Sequence, residues 1–196
     1  FKREGLRRVV MCLGYRGEQV VEFVGDGARF GLEVVYSFDG DRLLGTGGAL
    51  RKALPQLDDP FFVIYGDSYL DIPYAPLIAD FAASGRDALV TVFHNEDRWD
   101  TSNIVFDGRD VLAYSKTDKR PEMHYIDYGL GILRAATLLT RAADKAFDLG
   151  SVYEELAGRG QLAGREIQKR FYEIGSQSGL AETGAYLAAQ QSAYNR

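Results

Sequence analysis

The sequence predicts an α/β fold, a largely parallel sheet with helices on both faces, on three observations. Between residues 8 and 93, four short runs rich in β-branched and aromatic residues alternate with three segments of helical period. The run Phe61-Phe62-Val63-Ile64-Tyr65 is continuously apolar rather than alternating, as in a strand covered on both faces. That run stops at Gly66-Asp67-Ser68, which puts a carboxylate at the carboxyl end of a buried strand, where open α/β sheets hold their ligands.

Taken in order, residues 1–5 read as the last turn of a helix stopped by Gly5. Residues 8–13 form a strand and residues 14–17 a turn. Residues 18–24 form a helix with Val20, Val21 and Val24 on one face. A β-branched and aromatic strand occupies 32–38. The glycine-rich stretch Leu44-Gly45-Thr46-Gly47-Gly48-Ala49-Leu50 opens a helix that runs to about Leu54, before Pro55. After the strand at 61–65, Pro76 marks the first turn of a helix whose apolar face is Leu77, Ile78, Phe81 and Ala82. Residues 88–93 are the fourth strand. The second half changes character. Residues 103–106 and 111–115 flank Asp107-Gly108 as a hairpin. Residues 125–133 are a strand. Leu138, Leu139, Ala142 and Ala143 mark one helix, and Val152, Tyr153 and Leu156 a second that ends near Gly158. Residues 162–167 and 171–174 are short strands, and a helix from about 180 to 193 closes the chain. With no repeat, low-complexity tract or linker, residues 1–196 are read as one domain.

Composition bounds the function. Hydrophobic residues make up 46% of 196, enough for a sizeable core. The net charge of −5, without a basic patch, argues against nucleic acid as a partner. An anionic substrate would need a metal or a few placed cations. Cys12 is the only cysteine and lies in the apolar run 9–13, so a buried inert thiol is expected and an internal disulfide is excluded. No apolar stretch approaches the roughly 20 residues of a membrane span. With no leader read at the start, the expectation is a cytoplasmic protein with no membrane partner.

Several groups could carry chemistry. Glycines at 45, 47 and 48 let backbone approach a ligand beside a helix N-terminus, although short glycine runs also serve as plain strand-to-helix turns. The stretch is neither a Walker A loop nor a dinucleotide fingerprint. Asp67 ends one strand, and Glu173 interrupts the apolar strand Phe171-Tyr172-Glu173-Ile174. If the two meet, they make an oxygen site for Mg²⁺; otherwise Glu173 is a solvent-facing strand residue. Lys116, at the end of the strand at 111–115, could neutralise a phosphate as a point charge. Tyr128-Gly129-Leu130-Gly131 could bring backbone to a ligand or simply pack. His94 and His124 lack metal-type spacing.

Together, Leu44 to Leu50, Gly66-Asp67-Ser68, Ser115-Lys116, Tyr125-Ile126-Asp127-Tyr128-Gly129 and Phe171-Tyr172-Glu173-Ile174-Gly175-Ser176 resemble the ordered motifs of sugar-1-phosphate nucleotidyltransferases. The branch with heptose-1-phosphate and mannose-1-phosphate guanylyltransferase-like proteins is the most similar. The resemblance implies a Rossmann-like, mostly parallel mixed sheet, and as substrates a nucleoside triphosphate and a sugar 1-phosphate. It implies that Gly45, Thr46, Gly47 and Gly48 contact the nucleotide, and that Asp67 and Glu173 hold Mg²⁺. It implies that Lys116 binds the sugar phosphate, and that Tyr128 and Gly129 line the sugar pocket. A homo-oligomer is compatible with it. A non-catalytic nucleotide-sugar sensor and the use of UTP rather than GTP are the alternatives. The sequence departs from the family at Glu173, where Asp is usual, and at Ser115, where Glu is common. It also lacks the amino-terminal strand and phosphate loop of the family, so the expectation is that roughly 40 further residues precede Phe1.

Overall fold

The computed structural model describes residues 1–98 and 100–194, the side chains of 191–194 excepted. The first half alternates as its periodicity predicts: β1 (Arg8–Leu13), α1 (Gly17–Val24), β2 (Glu33–Phe38), α2 (Gly45–Ala53), β3 (Phe61–Ile64), β4 (Ser68–Tyr69), α3 (Ala75–Ser84) and β5 (Ala88–His94). The second half adds β6 (Ile104–Phe106), β7 (Val111–Tyr114), β8 (Tyr125–Leu133), α4 (Ala136–Leu139), α5 (Leu149–Gly158), β9 (Leu162–Glu166), β10 (Tyr172–Glu173) and α6 (Gln177–Tyr194). The amino-terminal turn is a 3₁₀ helix, Lys2–Glu4, stopped by Gly5 at φ 85°. The helix expected through Ala143 ends at Leu139, since Ala142 and Ala143 fall in a turn.

The main sheet is mixed and built around β8. Its carboxyl half is flanked by β3, with Phe61 opposite Leu133, and by β5, with Ala88 also opposite Leu133; both neighbours run antiparallel to it. The amino half of β8 meets the hairpin β6–β7, and β5 pairs in parallel with β9. The run 61–64 is covered on both faces, as its continuous hydrophobicity requires. Phe61 and Val63 belong to one core with Val152, Tyr153 and Leu156 of α5. Phe62 and Ile64 pack on the other, with Leu77 and Phe81 of α3. Two faces, each with its own helix, are what a strand without polar alternation needs.

Strands β1 and β2 pair in parallel as a separate ribbon. The apolar run 9–13 is less covered than the run 61–64: Val9 to Leu13 are only half-buried. Among the described residues β2 is the only strand that pairs with β1. Cys12 is half-buried, and burial together with Asp39 pushes its thiol up to about 11. No helix among the described residues is long and apolar enough to cross a membrane.

Candidate active site

A cavity of about 440 Å³ opens where four segments converge: the β3–β4 turn, the end of β7, the middle of β8, and β10 with the start of α6. Each segment is aimed by a local device. In β8 the register against β5 jumps between Val90 and Val92, so Tyr128, Gly129 and Leu130 bulge out of the ladder. Gly129 takes φ +97°, and a Cβ there would lie 3.2 Å from Ser68 Oγ. The buried Thr91 hydroxyl donates to Leu130 O at 2.7 Å and closes the gap. The bulge turns the Asp127–Gly129 edge toward the cavity.

Strand β4, absent from the sequence reading, pairs antiparallel with β10, with Ser68 opposite Glu173. Ile174 N–H donates to Asp67 O at 2.8 Å. This short ribbon places Asp67 and Glu173, from distant parts of the chain, on one wall of the cavity. Helix α6 is docked on the ribbon by Thr183, whose hydroxyl donates to Glu173 O at 3.1 Å, and by Tyr186, stacked on Tyr172 at 4.2 Å. Gly179 lets the helix close in, because a Cβ there would sit 2.5 Å from Glu173 O.

Of the residues singled out from the sequence, Asp67, Glu173, Lys116, Tyr128 and Gly129 all line this cavity. Tyr128 is fully buried and serves as wall, its ring edge-on to Phe171 at 5.8 Å. Among the described residues Asp67 and Glu173 make no ion pair, and the Asp67 carboxylate accepts one long hydrogen bond, from Ser68 Oγ at 3.5 Å. Carboxylates that line one cavity are hard-oxygen donors of the kind Mg²⁺ takes one or two at a time, with water and phosphate in its other positions; among the described residues no group of three or more His, Cys, Asp or Glu side chains is placed to hold a metal ion.

The glycine stretch is placed differently. It forms the first turn of α2 and packs against the segment 145–149. Gly47 and Gly48 N–H donate to Phe147 O at 3.0 and 3.2 Å, and Phe147 N–H donates to Leu44 O at 2.9 Å. A Cβ at Gly45 would lie 2.7 Å from Phe147 O and one at Gly48 2.6 Å from Lys145 O. None of residues 45–48 lines the cavity. Thr46 connects to it through Asp148, to which its hydroxyl donates at 3.2 Å, while Lys116 Nζ sits 3.0 Å from the other oxygen of the same carboxylate.

Three residues carry the site without having been assigned roles from sequence. Asp127 forms the floor: Oδ1 accepts Gly129 N–H at 2.9 Å and Oδ2 accepts the Tyr114 hydroxyl at 3.1 Å. Burial pushes its carboxyl above the usual carboxylate range, against the pull of those hydrogen bonds. The Tyr65 hydroxyl is buried and has no hydrogen-bond partner among the described residues. Burial, then Asp127, Asp148 and Asp67, hold that phenol in its protonated form. Asp148 is the third. Burial raises its pKa, but Lys116 and the Gly150 N–H outweigh this and hold it below the ordinary value. A signal existed for two of them. Asp127 interrupts an apolar strand as Glu173 does, and Asp148 stands just before the helical run that starts at Leu149, the position of an N-cap.

No family model matches the chain. Over 180 residues, 88% of the chain, it is 24% identical to the mannose-1-phosphate guanylyltransferase catalytic subunit beta of Danio rerio, covering 49% of that protein. Over 74 residues it is 34% identical to the N-acetylmuramate alpha-1-phosphate uridylyltransferase of Neisseria meningitidis, covering 37% of this chain and 32% of that one. The chain thus spans about half or less of the length of these curated relatives. Its fold matches the crystal structure of HddC from Yersinia pseudotuberculosis complexed with GMP-PN at a TM-score of 0.74, with 20% identity over 92% of this chain and 79% of that one. Over most of its length the sequence is similar to a mannose-1-phosphate guanylyltransferase catalytic subunit and over a shorter part to an N-acetylmuramate alpha-1-phosphate uridylyltransferase, and the fold matches that of HddC.

Proposed function

We propose that the protein transfers a nucleotidyl group from a nucleoside triphosphate to a sugar 1-phosphate and releases pyrophosphate. The observation that carries this reading is the convergence of Asp67, Glu173, Lys116 and the Tyr128–Gly129 edge, from four separate segments, on one cavity of about 440 Å³. That volume lies in the range of small-molecule sites.

In the proposed reaction an oxygen of the sugar phosphate attacks the α-phosphorus in line. The new O–P bond forms as the bond from that phosphorus to the bridging oxygen of pyrophosphate breaks. The nucleophile is already ionised, so no residue has to remove a proton, and catalysis rests on positioning and charge. Lys116 sits at the rim as the cation for the sugar phosphate. Asp67 and Glu173 would hold Mg²⁺, which when bound neutralises charge on the nucleotide phosphates. The Tyr128–Gly129 edge, with Asp127 and Tyr65 behind it, offers both donors and acceptors to sugar hydroxyls. The first turn of α2, at Gly45 and Thr46, takes the base, its neighbours Gly47 and Gly48 being engaged by Phe147.

The test is a panel of nucleoside triphosphates, GTP and UTP among them, crossed with sugar 1-phosphates, and read as pyrophosphate release. One pair should stand out. Absence of release with every pair, at saturating Mg²⁺, overturns the reading.

A further inference from the structure

Asp148 lies outside the cavity yet touches residues from both proposed substrate subsites. As the N-cap of α5, it accepts the Gly150 N–H on Oδ1 at 2.7 Å, the ordinary work of an Asp at a helix start. Capping needs one oxygen and one N–H. Here Oδ1 also receives Lys116 Nζ at 3.0 Å, and Oδ2 receives the Thr46 hydroxyl at 3.2 Å. Thr46 Oγ1 in turn accepts the Leu149 N–H at 2.8 Å, so the α2 and α5 helix starts are stitched together at this carboxylate.

Gly150 makes the arrangement feasible. A Cβ at that position would lie 2.7 Å from Asp148 Oδ1, 3.1 Å from Lys116 Cε and 3.3 Å from the Tyr114 ring. A side chain would press first on the carboxylate oxygen that faces Lys116 and then on the lysine stem, and so loosen their contact. Lys116 lines the cavity whereas Asp148 and Thr46 do not. The carboxylate therefore holds the ammonium from behind, occupying one of its three N–H groups and leaving the others for an anion in the cavity.

We propose that Asp148 is a positioning residue that fixes the Lys116 ammonium at the cavity rim and couples it, through Thr46, to the first turn of α2. This rests on the reading of Lys116 as the cation for the sugar phosphate. A lysine on a free four-carbon stem loses rotamer freedom when it engages a phosphate, and one already held loses less, which lowers KM for that substrate.

Asp148→Asn keeps the cap, since Asn caps a helix as well as Asp does, and removes the charge that holds the ammonium. The melting temperature should stay within about 2 °C of the parent. Two readouts then follow. Partial modification of the intact protein with an amine acylating reagent, quantified residue by residue by mass spectrometry, should show Lys116 reacting about two- to fivefold faster, the range for losing a half-exposed ion pair. Lys119, which pairs with Asp97 instead, should not change. In the transfer assay, KM for the sugar 1-phosphate should rise by a similar factor while kcat changes less, a split that a merely structural residue would not produce. Gly150→Ala should reproduce both effects with the charge of the carboxylate kept and its contact with Lys116 displaced. Unchanged Lys116 labelling in both variants overturns the tether. An active parent whose KM is unmoved in Asp148→Asn overturns the positioning role. A parent that releases no pyrophosphate with any substrate pair overturns the reaction itself, and with it the role given to Lys116.

Discussion

Asp71 ties three distant segments together, and its charge can be removed without changing its shape. Its Oδ1 accepts Arg3 Nη2 at 2.9 Å, from the amino-terminal turn. Its Oδ2 takes Lys169, from just before β10, and the Tyr186 hydroxyl of α6 at 3.0 Å. The Lys169 hydrogen bond is the main cause that lowers the carboxyl from 3.8 to about 2; burial opposes it, and Arg3 and Tyr186 add to it. A carboxylate depressed that far contributes on the order of 2 kcal/mol at neutral pH. Arg3 is 73% and Lys169 46% exposed, so solvent screening reduces the figure to about 1 kcal/mol. The sign follows from the direction of the shift. The folded value is below the unfolded one, so the contribution is complete above about pH 4 and is lost as pH falls toward about 2. Asp71→Asn should therefore destabilise by about 1 kcal/mol in urea unfolding at neutral pH, with the difference from the parent shrinking through that acid window. Because Tyr186 lies on the helix whose start lines the cavity, amide exchange in α6 should quicken in the variant. A difference that is the same at neutral pH and at about pH 2, or one below about 0.3 kcal/mol throughout, would refute the electrostatic account.

Three further outcomes are expected. Asp67→Asn keeps the shape but loses the charge facing the cavity, and should lower turnover by about 10²-fold or more at little cost in stability, measured by pyrophosphate release alongside thermal melting. Tyr65→Phe removes a buried hydroxyl that has no partner among the described residues; the free protein should be unchanged or up to about 1 kcal/mol more stable, while affinity for the sugar 1-phosphate by calorimetry falls. Gly47→Ala would drive a methyl into the Phe147 ring and to 3.1 Å from Leu149 N, so a loss of about 1–3 kcal/mol in denaturant unfolding is expected; a neutral effect would mean that the α2 start does not pack on 145–149 as described.

The sequence by itself determined the local elements and most of the wall of the site. The continuous apolar run 61–64 reads as a strand covered on both faces and 125–133 as a strand, and helical period placed α3 and α5, although of the face expected for α3 only Leu77 and Phe81 are buried while Ile78 and Ala82 are exposed. The carboxylates Asp67 and Glu173 and the lysine Lys116 were legible because each stands where an apolar strand stops or is broken, a placement that packing alone does not require. Tertiary structure decided the rest. Alternation of strand and helix says nothing of strand order, so the antiparallel insertion of β8 between β3 and β5, and the separation of β1–β2, lay beyond it. Strand β4 is two residues long, too short for any period, and exists because β10 pairs with it. The glycines at 45–48 show most plainly where sequence stops: a missing Cβ marks close approach but not the neighbour, and here that neighbour is the segment 145–149. The unpartnered Tyr65 hydroxyl, and the meeting of Asp148 with both Lys116 and Thr46, depend on contacts between residues far apart in the chain, which only the folded arrangement of its backbone can specify.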